Sequence, residues 1–72
     1  MKLKELLKNY KLRNYDITFK DLYGNTHKKV DLTPEKILKI EELEVRNVDI
    51  FFIRKEATFY LIGLYELMKE VK

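Results

Sequence analysis

Cysteine is absent from this chain, which excludes disulfides and thiolate metal sites. Serine is absent as well, so the usual hydroxyl and thiol nucleophiles are both missing. Threonines stand at 18, 26, 33 and 58, beside a single histidine, His27. Placed after a turn on the outward side of a strand, His27 reads as inert rather than as a general base. Neighbouring Asp21 and Asp31 match neither a calcium loop nor zinc spacing, so no metal is expected. The two glycines, Gly24 and Gly63, stand alone and form no phosphate-binding loop, so no cofactor is expected either. No apolar run reaches the ~18 residues of a membrane span. The opening MKLKELLKNY is broken by Glu5 and Lys8, unlike the uninterrupted apolar stretch of a secretory signal. These absences argue for a non-enzymatic, cytoplasmic protein with no membrane partner.

At 72 residues the chain is expected to form one domain, residues 1–72. A domain of this size buries only ~60% of the surface its unfolded chain exposes. With disulfides and thiolate metal sites excluded, self-association as a homodimer is the remaining way to enlarge the core. The net charge of +3 is unevenly placed. Residues 1–30 carry eight Lys and Arg against three acids, and residues 31–72 carry seven against nine. Such asymmetry fits either an anionic partner for the first half or an ordinary solubilising surface.

Leu3, Leu6, Leu7 and Tyr10 recur at helical spacing, with Lys4, Lys8 and Lys11 on the opposite side, so residues 2–10 predict an amphipathic helix. Tyr15, Ile17 and Phe19 alternate with polar residues and predict a half-buried strand. The DLYGN turn follows, and a return strand is expected from Thr26 to Leu32, with Val30 and Leu32 inward and His27, Lys29 and Asp31 outward. Thr33-Pro34-Glu35 announces a second helix that buries Ile37, Leu38 and Ile40. From Leu43 the period becomes two. The apolar parity slips at Arg46-Asn47, which predicts a bulge or bend. Asp49 to Ile53, apolar on both faces, reads as a central strand. Residues 57–71 fit either a strand at 58–62 after a 54–57 loop, followed by a short helix at 64–71, or one long helix; the first reading is adopted. The expected fold is α+β, with a four-stranded antiparallel sheet made of two hairpins and helices on one face, in the order αββαββα.

Two surfaces are candidates for function. Lys4, Lys8, Lys11, Arg13, Lys20 and Lys29, with Tyr10, Tyr15 and Tyr23 among them, would suit nucleic-acid phosphates and bases. Tyr10 and Tyr15 fall on apolar stripes and fit core packing as well; Tyr23 is expected at an exposed loop tip. The other candidate is an apolar patch of Phe51, Ile53, Phe59, Tyr60 and Tyr65, since adjacent Phe51 and Phe52 must point to opposite faces of a strand. Either the final helix or a partner would have to cover it. The carboxylates Glu41, Glu42 and Glu44 read as a solvated face paired weakly with Arg46.

The run MKLKELL, the YDITFKDLYGN hairpin, the TPEKIL helix and the second hairpin together resemble short uncharacterised α+β proteins of phages and mobile elements in low-GC bacteria. That resemblance implies an accessory role, with inhibition of host defence, as by anti-CRISPR proteins, among the possibilities. The positive net charge argues against an inhibitor that mimics DNA. The leading expectation is a self-associating interaction module working through residues 50–65, with a protein partner; the alternative is a small nucleic-acid binder.

Overall fold

The computed structural model describes residues 1–69. Its elements are α1 (Leu3–Asn9), β1 (Asp16–Lys20), β2 (Thr26–Lys28), a 3₁₀ turn (Lys29–Asp31), α2 (Pro34–Ile40), β3 (Glu44–Phe51), β4 (Glu56–Ile62) and α3 (Leu64–Lys69). The fold is α+β, with three helices and one four-stranded sheet. Two hairpins are present, but the sheet is mixed rather than antiparallel. The strand order is β2-β1-β4-β3, and β1 and β4 run parallel at the centre.

Strand β4 is central because it is the run with strict alternation of fully buried side chains, Ala57, Phe59 and Leu61. Through the registers Ile17↔Ala57, Phe19↔Phe59 and Val48↔Phe59, the same face carries Ile17, Phe19, Val48 and Ile50. Leu3 of α1, Ile40 of α2 and Leu64 of α3 join this cluster, so all three helices cover one face. The other face is largely polar, with Asp16, Thr18, Lys20, Lys28, Asp49, Glu56, Thr58 and Tyr60 in neighbouring register. Tyr60 Oη donates to Asp49 Oδ2 at 3.1 Å, and this bond, helped by partial desolvation, raises the phenol above its ordinary value.

Several expectations hold. Thr33 caps α2 by accepting from the Lys36 N–H at 3.2 Å, with Pro34 in the first turn. The register shift falls between Val45 and Asn47, so Arg46 is the bulged residue. Residues 57–69 form a strand followed by a short helix, not one long helix; Glu70 and Val71, at the expected end of that helix, lie outside the described residues.

Other expectations are corrected. Strand β3 lies at the edge, not the centre, and ends at Phe51, leaving Phe52 and Ile53 in the turn at 52–55. Strand β2 stops at Lys28, and the 3₁₀ turn that follows has a period near three instead of two. This phase change reverses the expected parity: His27 pairs with Phe19 on the helix side and is half-buried, while Val30 is 85% exposed. Leu32 still reaches the core. Leu38 is exposed because a helical step of about 100° per residue carries it off the stripe shared by Ile37 and Ile40.

Met1 to Leu3 run beside the start of β3. Leu3 N–H donates to Leu43 O at 2.9 Å, and Val45 N–H donates to Met1 O at 2.9 Å. Among the described residues no strand covers β3 beyond the bulge. Between β4 and α3 the chain turns through Gly63 at φ +90°. An added Cβ would meet Leu43 Cδ2 at an ordinary 3.5 Å, so backbone conformation rather than crowding limits this site. Gly63→Ala is therefore expected to cost about 1–2 kcal/mol in urea unfolding, at unchanged secondary-structure content.

Candidate functional site

The parallel seam decides which loops meet. Strands β1 and β4 start at the same end of the sheet, and the antiparallel β2 and β3 finish there. Phe51 is the register partner of Glu56, and Glu56 of Asp16. The Asp16 N–H donates to Lys55 O at 2.9 Å, which ties the segment before β1 to the β3–β4 turn. Tyr15 meets Phe52 edge to face at 6.5 Å. The Arg54 guanidinium lies 4.4 Å over the Phe51 ring, and its Nε reaches Glu56 Oε1 at 3.3 Å. Lys55 holds φ at 55°, a conformation that glycine takes without strain.

This ordered tip leaves three consecutive large apolar side chains in solvent: Phe51 is 46% exposed, Phe52 67% and Ile53 97%. Val30 lies at the same end, beside a depression of about 310 Å³ lined by Asp16, Thr18, Lys28, Glu56 and Thr58. Phe52, expected on the face opposite Phe51, and Val30, Arg54 and Lys55 were absent from the expected sites. The Arg-Lys pair within IFFIRKEA was the available signal for the last two, whereas Val30 belongs here only through the sheet topology.

The other expected patch residues do not join the tip. Phe59 is fully buried against Phe19, with ring centroids 6.4 Å apart. Tyr60 is half-buried on the polar face. Tyr65 packs on Tyr23 at 4.7 Å, near the opposite end.

The expected basic surface is also divided. Lys4 Nζ pairs with Glu42 at 2.9 Å, Lys2 Nζ joins the same carboxylate at 3.2 Å, and the Met1 ammonium pairs with Glu44 at 2.7 Å. Glu42 and Glu44 thus pair with the first residues of the chain rather than with Arg46. Hydrogen bonding to Lys4 and then Lys2 holds Glu42 below its ordinary value, and the same bond raises Lys4. Lys20, 5.7 Å over the Tyr60 ring, sits at the far end of β1 on the polar face. Lys8 is exposed on α1. Lys11 and Arg13 are exposed on the segment that leads into β1, and Lys29 follows the end of β2 at the tip.

His27 shares a separate depression of about 290 Å³ with Asp21, Asn25, Thr26, Tyr65, Met68 and Lys69. Both Asp21 oxygens are already engaged: Oδ1 accepts from the Tyr23 and Asn25 backbone N–H groups, and Oδ2 from the Asn25 amide. Among the described residues no three His, Cys, Asp or Glu side chains are grouped to hold a metal ion, and no helix is long and apolar enough to cross a membrane. Comparison with protein-family models, with curated proteins and with solved structures gave no match, so the chain's own residues are the ground for any functional reading.

Proposed function

We propose that this chain is a non-enzymatic interaction module that associates with a second copy of itself along the outer edge of β3, from Asn47 to Phe51. The supporting observation is that this stretch of edge is uncovered among the described residues and leads directly into the exposed Phe51, Phe52 and Ile53. Unpaired strand edges are templates for pairing with another chain. The other edge is better protected, since β2 has only three residues, includes Lys28 and breaks into a 3₁₀ turn. The first part of β3 is protected too, by Met1 to Leu3. The resemblance to phage accessory proteins is compatible with a host protein replacing the second copy.

Sedimentation equilibrium or light scattering tests this reading. A concentration-dependent dimer is expected at high micromolar protein, and Phe51→Glu should shift it to monomer while circular dichroism stays unchanged. A monomer at the same concentration, unaltered by that substitution, overturns the reading.

A further inference from the structure

From the end of the sheet we infer a second activity: the β3–β4 tip is a wedge for the surface of an anionic phospholipid membrane. Residues 15–16, 28–31 and 51–56 meet there and carry Lys28, Lys29, Arg54 and Lys55 against Asp16, Asp31 and Glu56, and the segment that leads into β1 adds Lys11 and Arg13. One of those acids, Glu56, is bridged by Arg54. At the centre stand Phe52 and Ile53, with Val30 exposed at the same end. An apolar apex flanked by cations matches an anionic bilayer, where apolar side chains enter the acyl boundary and basic groups stay at the headgroups. The interaction is with the surface and needs no spanning segment.

Two features favour lipid over the other anionic polymer, nucleic acid. The face of Phe51 is occupied by Arg54, and Phe52 is engaged with Tyr15, so neither ring is free to stack on a base from both sides. The cations come from separate segments, Lys28 and Lys29 at the β2 side of the sheet end and Arg54 and Lys55 in the β3–β4 turn, rather than from one aligned row, which suits a diffuse charged plane. Lys55 adds a further point. It places a cation at the tip in a left-handed conformation that a lysine adopts only under strain, and such strain clusters at functional segments.

Co-sedimentation with vesicles tests the inference, using phosphatidylcholine alone and phosphatidylcholine with about one third phosphatidylserine. Wild-type protein should bind the mixed vesicles at low salt, release at high salt and ignore the neutral ones. Phe52→Ser/Ile53→Ser should weaken binding at least about tenfold, because the apolar apex is lost. Lys28→Gln/Lys55→Gly should weaken it by about 25-fold, at roughly fivefold for each cation removed, with glycine keeping the positive φ at position 55. These side chains are exposed, so circular dichroism should report an intact fold in both variants. No binding to mixed vesicles overturns the wedge, as does full binding by the serine variant, which would mean charge adsorption alone. Binding of single-stranded DNA or RNA in place of vesicles also overturns it and assigns the cations to nucleic acid. The dimer is scored separately by light scattering without vesicles, so either activity can fail while the other stands.

Discussion

Truncating Phe59 to alanine should remove a large part of this protein's folding stability. Phe59 is fully buried in the central strand, in register with Phe19 on one side and Val48 on the other. A Phe→Ala change in a packed core costs about 3–5 kcal/mol. A domain of this size has a total stability of about 4–11 kcal/mol. The loss therefore takes about a quarter or more of what is available. The neighbours cannot close the gap easily, because Phe59 belongs to a strand whose partners on both sides, β1 and β3, contribute to the same core cluster. Urea denaturation followed by circular dichroism should show a large drop in the midpoint, or no cooperative transition at all. Phe59→Leu, which refills most of the volume, should recover a substantial part of the stability. A midpoint for Phe59→Ala within error of wild type would mean that the helix layer does not pack on β4 as described.

The second large effect is expected at Asp21, the one buried polar side chain in the described structure, at 3% exposure. The carboxylate organises the loop between β1 and β2. It accepts from the Tyr23 N–H at 2.8 Å, the Asn25 N–H at 2.9 Å and the Asn25 side-chain amide at 2.8 Å, while Gly24 supplies the positive φ. Replacement by alanine removes three charge-assisted bonds and leaves two backbone donors of a tight loop without their partner. The expected cost is about 2–3 kcal/mol.

Asp21 also makes the stability depend on pH. Burial pushes its carboxyl upward, but the Asn25 side chain, the Asn25 and Tyr23 backbone donors and the charge of His27 outweigh it, and the group sits below its ordinary value of 3.8. A carboxyl lowered in the folded state contributes stability above its unfolded value and loses it as pH falls through the folded value. The gap between wild type and Asp21→Ala should therefore narrow as pH falls below about 4. Urea midpoints for both proteins across that range check it. A gap that does not change with pH would show that the carboxylate is not the stabilising form.

Local chemistry carried much of the fold in the sequence. The alternation from Tyr15 to Phe19, the Asp21–Gly24 turn and the Thr33-Pro34 cap each act within a few residues, and each appears in the structure. The bulge at Arg46 was legible for the same reason, since a parity slip in a half-buried strand has few other solutions. What could not be read was adjacency. A strand's period says which side chains share a face, but not which strand lies beside it, so the parallel pairing of β1 with β4 and the edge position of β3 were hidden. The missed parity of His27 and Val30 has another cause. Thr26 to Leu32 looks continuous on paper, yet it changes from strand to 3₁₀ turn at Lys29. The candidate site follows the same division. The apolar tip was visible in IFFI, while the company of Lys29 and Val30 depends on the seam.

That seam has a consequence for how the chain reaches its fold. Each hairpin joins neighbours in sequence and closes a short loop, whereas the pairing of residues 16–20 with 56–60 spans most of the chain. Its closure entropy must be met before Phe19 and Phe59 are in contact. The β1–β2 hairpin has no permanent neighbour until β4 has been synthesised. A nascent chain stopped before Glu56 would carry the segments of α1, α2 and the β1–β2 hairpin without the strand they pack on, and helices of seven residues do not hold alone in water, so the folding of this small domain waits for β4.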